Sequence, residues 1–455
     1  MHSRSTSELL RKALSRTPSA ATLGFAATLG FAAIATAQQP APPSPAPPAA
    51  PKVTPQVVPV TPPPAPLPPP LSRTEQRFRD LAGYVKSKGV IDATTRADIV
   101  KLAADIDVEL DAPTSDRALL LRLLPARAQI SIWLTDEQAM DKSFERLLSM
   151  TTAPDAVAIA WGRELNADGR FEKSLELLQP RTFQGDARSI DAKILIGDAL
   201  CGIHRYEPAQ AAYNTAPALG RSTDQLNAIA NGTRKVSFSR YLFNRELSAI
   251  QRDQQRGDLP MVELTTSKGP VLIELFEEQA PNTVGNFIER IESGAYDGTT
   301  FHRFMRGFGI QGGDPATASG GVGGKSNGGW VIPDECERPE RRAPFAGRLV
   351  MAKQPAGDSA VKPGANTAGA QFTILLSNAE SLDGFYTVFG RVLDGMEAVR
   401  KLREEDQIVR ASVLSKRNHS YTGVRLGEGK PGDYSMPRPG IPLTPAQTGE
   451  AQASQ

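Results

Sequence analysis

FHRFMRGFGIQGGD, residues 301–314, sets a cation, an aromatic and an amide (Arg303, Phe308 and Gln311) at spacings that a β-strand would impose. The surrounding sequence extends the strand reading. MVELTTSKGPVLIELF, 261–276, holds two apolar, β-rich runs around Ser267-Lys268-Gly269, the pattern of a hairpin. Pro281 then opens a helix with Val284, Phe287, Ile288 and Ile291 on one face, and Gly294 follows as its stop. Four further blocks come in order: GGK at 323–325, LVMA at 349–352, GAQF at 369–372 and LDGFYTVFGRVLDGM at 382–396.

Together these blocks resemble the cyclophilin-type peptidyl-prolyl cis/trans isomerases. The resemblance implies a closed eight-stranded antiparallel β-barrel with two helices over residues 260–422, acting on X-Pro bonds of proline-containing polypeptides. Rotation about a peptide bond faces a barrier of about 18–20 kcal/mol, mostly amide resonance. A catalyst must weaken that resonance, which takes an apolar pocket for the ring and a fixed donor near the prolyl nitrogen. No nucleophile, metal or cofactor is required. A thousandfold acceleration asks for about 4 kcal/mol, within reach of a charge-assisted donor in a dry site.

Carried over by motif position, Arg303 is that donor, Phe308 the pocket aromatic, and Gln311 the group that orients the arginine and the substrate carbonyl. His302, Ala352, Gln371, Phe372, Thr373, Leu382 and Tyr386 align with substrate-binding positions, although Phe372 and Leu382 read equally well as core. The chain departs from the family pattern at four places. Gly309 stands where an apolar side chain is usual, and Thr373 where a second pocket phenylalanine is usual. Each lost large side chain removes about 1.5–3 kcal/mol of burial, so weaker proline binding is expected, with Thr373→Phe refilling the floor. Ser381 replaces a tryptophan of animal relatives, and Tyr386 replaces a common histidine. The reading that competes with catalysis is a peptide-binding scaffold that keeps the fold.

Upstream, residues 1–37 read as an export signal: a basic stretch, an apolar run from Ala21 to Ile34, and Ala35-Thr36-Ala37 as cleavage site. A signal anchor and an organellar transit peptide are the other readings. Cleavage implies an exported protein of the periplasm or cell envelope, with no stable membrane span left. Residues 38–71, rich in Pro and Ala, form a semi-rigid spacer. Residues 72–250 look helical. Thr95-x-x-Asp98 reads as a capping box, with Ile99, Leu102, Ala103 and Ile106 following on one face. WGRELNADGRFEKSLELL from Trp161 and IGDALCGIHRYEPAQAAY from Ile196 echo each other at an offset of 35, which is similar to tetratricopeptide repeats and implies a protein partner on the helical surface. In the second copy His204 takes the place of the turn glycine. Residues 423–455 read as a disordered tail.

The first 37 residues carry four basic and one acidic side chain, so their removal leaves 48 basic against 49 acidic. Nothing in that balance selects a nucleic-acid partner. GGVGGKS at 320–326 resembles a phosphate-binding loop, but Ser319 stands where that motif requires glycine. Cys201 and Cys336 fall in different regions and read as two buried thiols, with a disulfide as the alternative.

Overall fold

The computed structural model describes residues 71–88, 91–113, 116–356 and 359–428. The expected export signal, almost all of the spacer and most of the tail lie outside them.

Nine described helices come first: α1 (Arg73–Lys88), α2 (Ala93–Asp111), α3 (Arg117–Leu134), α4 (Glu137–Met150), α5 (Pro154–Ala167), α6 (Phe171–Leu178), α7 (Asp186–Gly202), α8 (Tyr206–Asn214) and α9 (Thr223–Arg256). In α2 the expected face is right, since Ile99, Leu102, Ala103 and Ile106 are all buried. The cap is not. Asp92 caps the helix, its carboxylate accepting from Thr95 N at 2.7 Å, so Thr95 lies inside the first turn. Asp is as good a cap as Thr, and it stands where the preceding chain is still extended.

The pair α5–α6 and the pair α7–α8 repeat one construction at an offset of 35. Gly162 lies against Leu178 and Gly197 against Tyr213, where a Cβ on either glycine would come within 2.7 Å of the facing side chain. The turns match bond for bond: Arg170 N donates to Leu165 O, and Arg205 N to Leu200 O, both at 2.8 Å. Gly169 (φ 70°) and His204 (φ 62°) both take the left-handed conformation that the turn demands. His204 compensates through contacts. Its ring stacks on Phe243 at 4.6 Å, meets Phe345 edge-on at 4.7 Å, and its Nδ1 lies 2.7 Å from the Tyr206 hydroxyl.

The β region follows: β1 (Met261–Thr266), β2 (Gly269–Leu275), α10 (Pro281–Glu292), β3 (Arg303–Met305), β4 (Gly309–Gly312), β5 (Arg348–Met351), β6 (Pro355–Ala356), β7 (Ser359–Pro363), β8 (Phe372–Leu375), β9 (Val388–Asp394), α11 (Met396–Lys401) and β10 (Ile408–Ser415). The hairpin β1–β2 turns at Ser267-Lys268, with Thr266 paired to Gly269. Pro281 opens α10, whose first amides at Asn282 and Thr283 donate to the Glu335 carboxylate, and Gly294 follows at φ 72°.

Eight strands form one antiparallel sheet in the order β10-β1-β2-β9-β5-β8-β4-β3. The expectation of a closed barrel is corrected here: the sheet is a curled half-barrel. Its edge strands β3 and β10 do not pair as a ladder, and the segments before them meet around the isolated bridge Thr300↔Gln407, through backbone bonds such as Phe301 N to Asp406 O at 2.7 Å and Ile408 N to Thr299 O at 2.8 Å. Glu405, at φ 72°, turns the chain just before that bridge and donates its amide to Phe301 O at 2.9 Å.

The sheet separates two apolar clusters. The inner one packs Phe287 and Ile288 of α10 against Ile310, Leu349, Phe372, Ile374 and Phe389. The outer one gathers Met305, Phe308, Val350, Ala352, Leu375, Leu382, Tyr386 and Val388 with Phe276. Helix α9 fastens to the β region beside this outer cluster. Glu246 of α9 receives Arg342 at 2.7 Å and Arg348 at 2.6 Å, Asp253 receives Arg342 at 2.6 Å, and the Arg342 guanidinium lies 3.7 Å from the centre of the Phe276 ring. Both cysteines are free and buried, so the buried-thiol reading holds over the disulfide. Burial pushes each thiol up to about 11.

Candidate active site

Strand register assembles the site. Arg303 of β3 pairs with Gln311 of β4, Gln311 with Thr373 of β8, Thr373 with Val350 of β5, and Val350 with Val388 of β9. Cross-strand partners share a face, so one row carries a cation, an amide, a hydroxyl and two aliphatic side chains across five strands. The face is that of the outer cluster. Residues one step along each strand point the other way.

Phe372 is the case in point. It pairs with Gly312 and Met351, and its ring packs edge-on against Phe287 at 5.4 Å and Tyr296 at 5.7 Å in the inner core. Of its two readings, core packing is therefore the one the structure supports, because period-2 alternation forbids Phe372 and Thr373 from facing the same side. Leu382, fully buried, joins Phe308 and Tyr386 in the outer cluster instead.

Gln311 is held by a buried polar chain. Its Nε2 donates to Gln371 Oε1 at 2.9 Å, while Gln371 Nε2 donates to Asp314 Oδ2 at 3.1 Å and to Ser326 O at 2.7 Å. Asp314 also accepts from the amides of Lys325 and Ser326, both at 3.0 Å. This accounts for the glycine-rich turn at 320–326: the amides of Lys325 and Ser326, which a phosphate would need, already hold a carboxylate. His302 donates its backbone amide to Gln311 O at 3.1 Å, and burial keeps its imidazole below the usual value. Ala352 N donates to Gln371 O at 3.0 Å, extending the β5–β8 pairing past the strand ends. Burial, as the leading cause, also raises the Tyr386 phenol.

Arg303 is half-buried at the exposed end of the row, while Gln311 and Thr373 are fully buried. The geometry thus fixes an arginine beside an apolar surface, with its cross-strand neighbour locked from behind. Such an arrangement can offer a charge-assisted donor to a group lying on the apolar face.

The two departures from the family pattern fit each other. A Cβ on Gly309 would lie 2.7 Å from Thr373 Cγ2 and 2.9 Å from Ile374 O. The second neighbour is backbone and cannot yield without breaking the β4–β8 pairing. The floor is therefore filled rather than empty, with Met305, Val350, Leu375 and Val388 supplying apolar surface around Phe308.

Sequence reasoning passed over the side chains that join the site to the helices. Arg306, inside the quoted stretch, places Nε 2.5 Å from Asp168 and Nη1 2.9 Å from Glu164, at the C-terminal end of α5. The segment 377–383, which carries Leu382, is held in three places. Asn378 Nδ2 donates to Gly202 O at 3.0 Å, Ser239 Oγ to Glu380 at 2.7 Å, and Arg245 to Asp383 at 2.5 Å. No local pattern marks these pairs, which lie 138 to 176 residues apart in sequence.

A family model described as cyclophilin type peptidyl-prolyl cis-trans isomerase/CLD matches residues 261–418. Over 146 residues the chain is 41% identical to a peptidyl-prolyl cis-trans isomerase of Arabidopsis thaliana, covering 32% of this chain and 82% of that protein. Over 156 residues it is 38% identical to a peptidyl-prolyl cis-trans isomerase of Synechococcus elongatus, covering 33% and 94% respectively. Among solved structures, a cyclophilin type peptidyl-prolyl cis-trans isomerase of Cryptosporidium parvum is 33% identical, covers 35% of this chain and 99% of its own, and superposes with a TM-score of 0.30.

Proposed function

Since the chain belongs to the cyclophilin-type peptidyl-prolyl cis-trans isomerase family, we propose that it isomerises X-Pro bonds in exported or envelope proteins, with Arg303 as the donor to the prolyl nitrogen. The observation that carries this reading is the cross-strand pair Arg303↔Gln311, with Gln311 locked by Gln371 and Asp314 behind it. A donor whose neighbours are already fixed need not be reorganised as the bond twists, which is where electrostatic catalysis gains most. Phe308 and Leu382 then hold the proline ring, and Thr373 contributes its methyl to the floor.

The exported location rests on the N-terminal sequence alone; mature protein from its host should begin near Gln38. The repeated turn at Gly169 and His204 supports a tetratricopeptide-like reading of the helices, with a protein partner on their surface. The test of the catalytic reading is a protease-coupled assay with an Ala-Pro peptide. A rate equal to the uncatalysed one would instead support the peptide-binding scaffold, which Gly309 and Thr373 favour.

A further inference from the structure

A groove of about 810 Å³ runs between α9 and the β region, and Phe308 forms part of its wall. On the helix side it is bounded by Ala228, Asn231, Arg234 and Phe238, and on the other by the segment Ser377–Ser381. The helix residues recur at three- and four-residue spacing, so they form one face of α9. Phe238 remains 45% exposed although it stands in this groove. The opposite wall is rigid, because Asn378 and Glu380 are bonded to the helices and Ser377 Oγ donates to Gly307 O at 2.5 Å.

We propose that this groove is the part of the substrate cleft that receives the extended segment next to the isomerising proline, and that Phe238 selects a bulky apolar residue there. Three observations carry it. Phe308 lines the groove, so a chain whose proline sits on that ring lies at its edge. Its lining offers apolar surface from Phe308, Ala379, Ala228 and Phe238 alongside polar and charged side chains, among them Asn231, Arg234 and the Lys235–Glu380 pair, that can meet the peptide backbone. Its walls are held together, because Asn378 and Glu380 fasten the loop to α7 and α9. The helices thus supply substrate selection to a site whose chemistry lies on the sheet.

The inference rests on the isomerase reading and has a separate test. Two peptides are compared: a short Ala-Pro tetrapeptide, and an extended one of ten residues with a phenylalanine near the proline. Phe238→Ala should lower the ratio of long- to short-peptide kcat/KM about tenfold, chiefly through KM, with an unchanged Tm. Ala228→Trp, which fills the groove from the helix side, should give the same loss. An unchanged ratio in both variants would overturn the proposal. If the wild type catalyses neither peptide, the isomerase reading fails and the groove is judged by binding. The fluorescently labelled long peptide should then bind the wild type at least tenfold more tightly than Phe238→Ala, and equal affinities would overturn it.

Discussion

Arg342 and Glu246 meet at 2.7 Å with side chains 0% and 3% exposed, joining the β region to helix α9 through a fully buried charge pair. Burial alone would raise the Glu246 carboxyl, but Arg348 and Arg342 outweigh it and hold the group at about 2. Such a pair adds little over a well-packed apolar replacement, yet losing one member leaves buried charge behind. Glu246→Ala should lower the free energy of unfolding by about 3–5 kcal/mol, measured by denaturant titration. A loss below about 1 kcal/mol would mean that water or Asp253 accommodates both arginines.

Arg303 is half-buried at the edge of the outer cluster, at the end of the cross-strand row. Arg303→Ala should therefore cut kcat/KM at least a hundredfold, on the order of 2.7 kcal/mol of transition-state stabilisation. The melting temperature should move by no more than a degree or two. Equal loss of stability and activity would reassign the residue to structure.

Thr373 separates the sequence-based expectation from the structural one. The missing phenylalanine suggests that Thr373→Phe should refill a gap and raise kcat/KM. In the folded protein Thr373 is fully buried and its methyl abuts Gly309. The larger ring should overpack the row and destabilise the protein by about 1–3 kcal/mol, with no gain in kcat/KM. A faster and equally stable variant would show that the outer cluster can open.

His204 carries a pH signature. Burial, as the leading cause, lowers its imidazole to about 4. Above pH 6.5 the group is neutral in folded and unfolded chains alike and adds no slope. As the pH falls from 6.5 towards 4 the unfolded chain takes up a proton that the folded one refuses, so stability drains away. Across that window the wild type should lose roughly 3 kcal/mol more than His204→Asn, whose side chain tolerates the same left-handed backbone. Parallel pH profiles would place the lost stability elsewhere.

The strands and α10 were legible because their signals are local: a two-residue turn, a proline at a helix start, apolar faces at fixed spacing. The site residues were legible because a motif fixes them in order. What could not be read depends on register and on distance. The face of Phe372 follows from which residue opposes Gly312, and the curl that stops short of closure follows from strand pairings between distant segments. Asp92 displaced Thr95 as a cap because both residues suit the role and only the path of the preceding chain decides. The ties from Arg306, Asp383 and Glu246 to partners more than ninety residues away leave no periodic trace.

The row from Arg303 to Val388 has a consequence in time. Its members come from five strands spread over 85 residues, and the last to be made is Val388 of β9. A chain emerging from its N-terminus can complete the helices and the β3–β4 hairpin while the row still lacks its far end. Isomerase activity should therefore arise late and all at once, so that a product cut short before β9 binds its helical neighbours but turns over nothing.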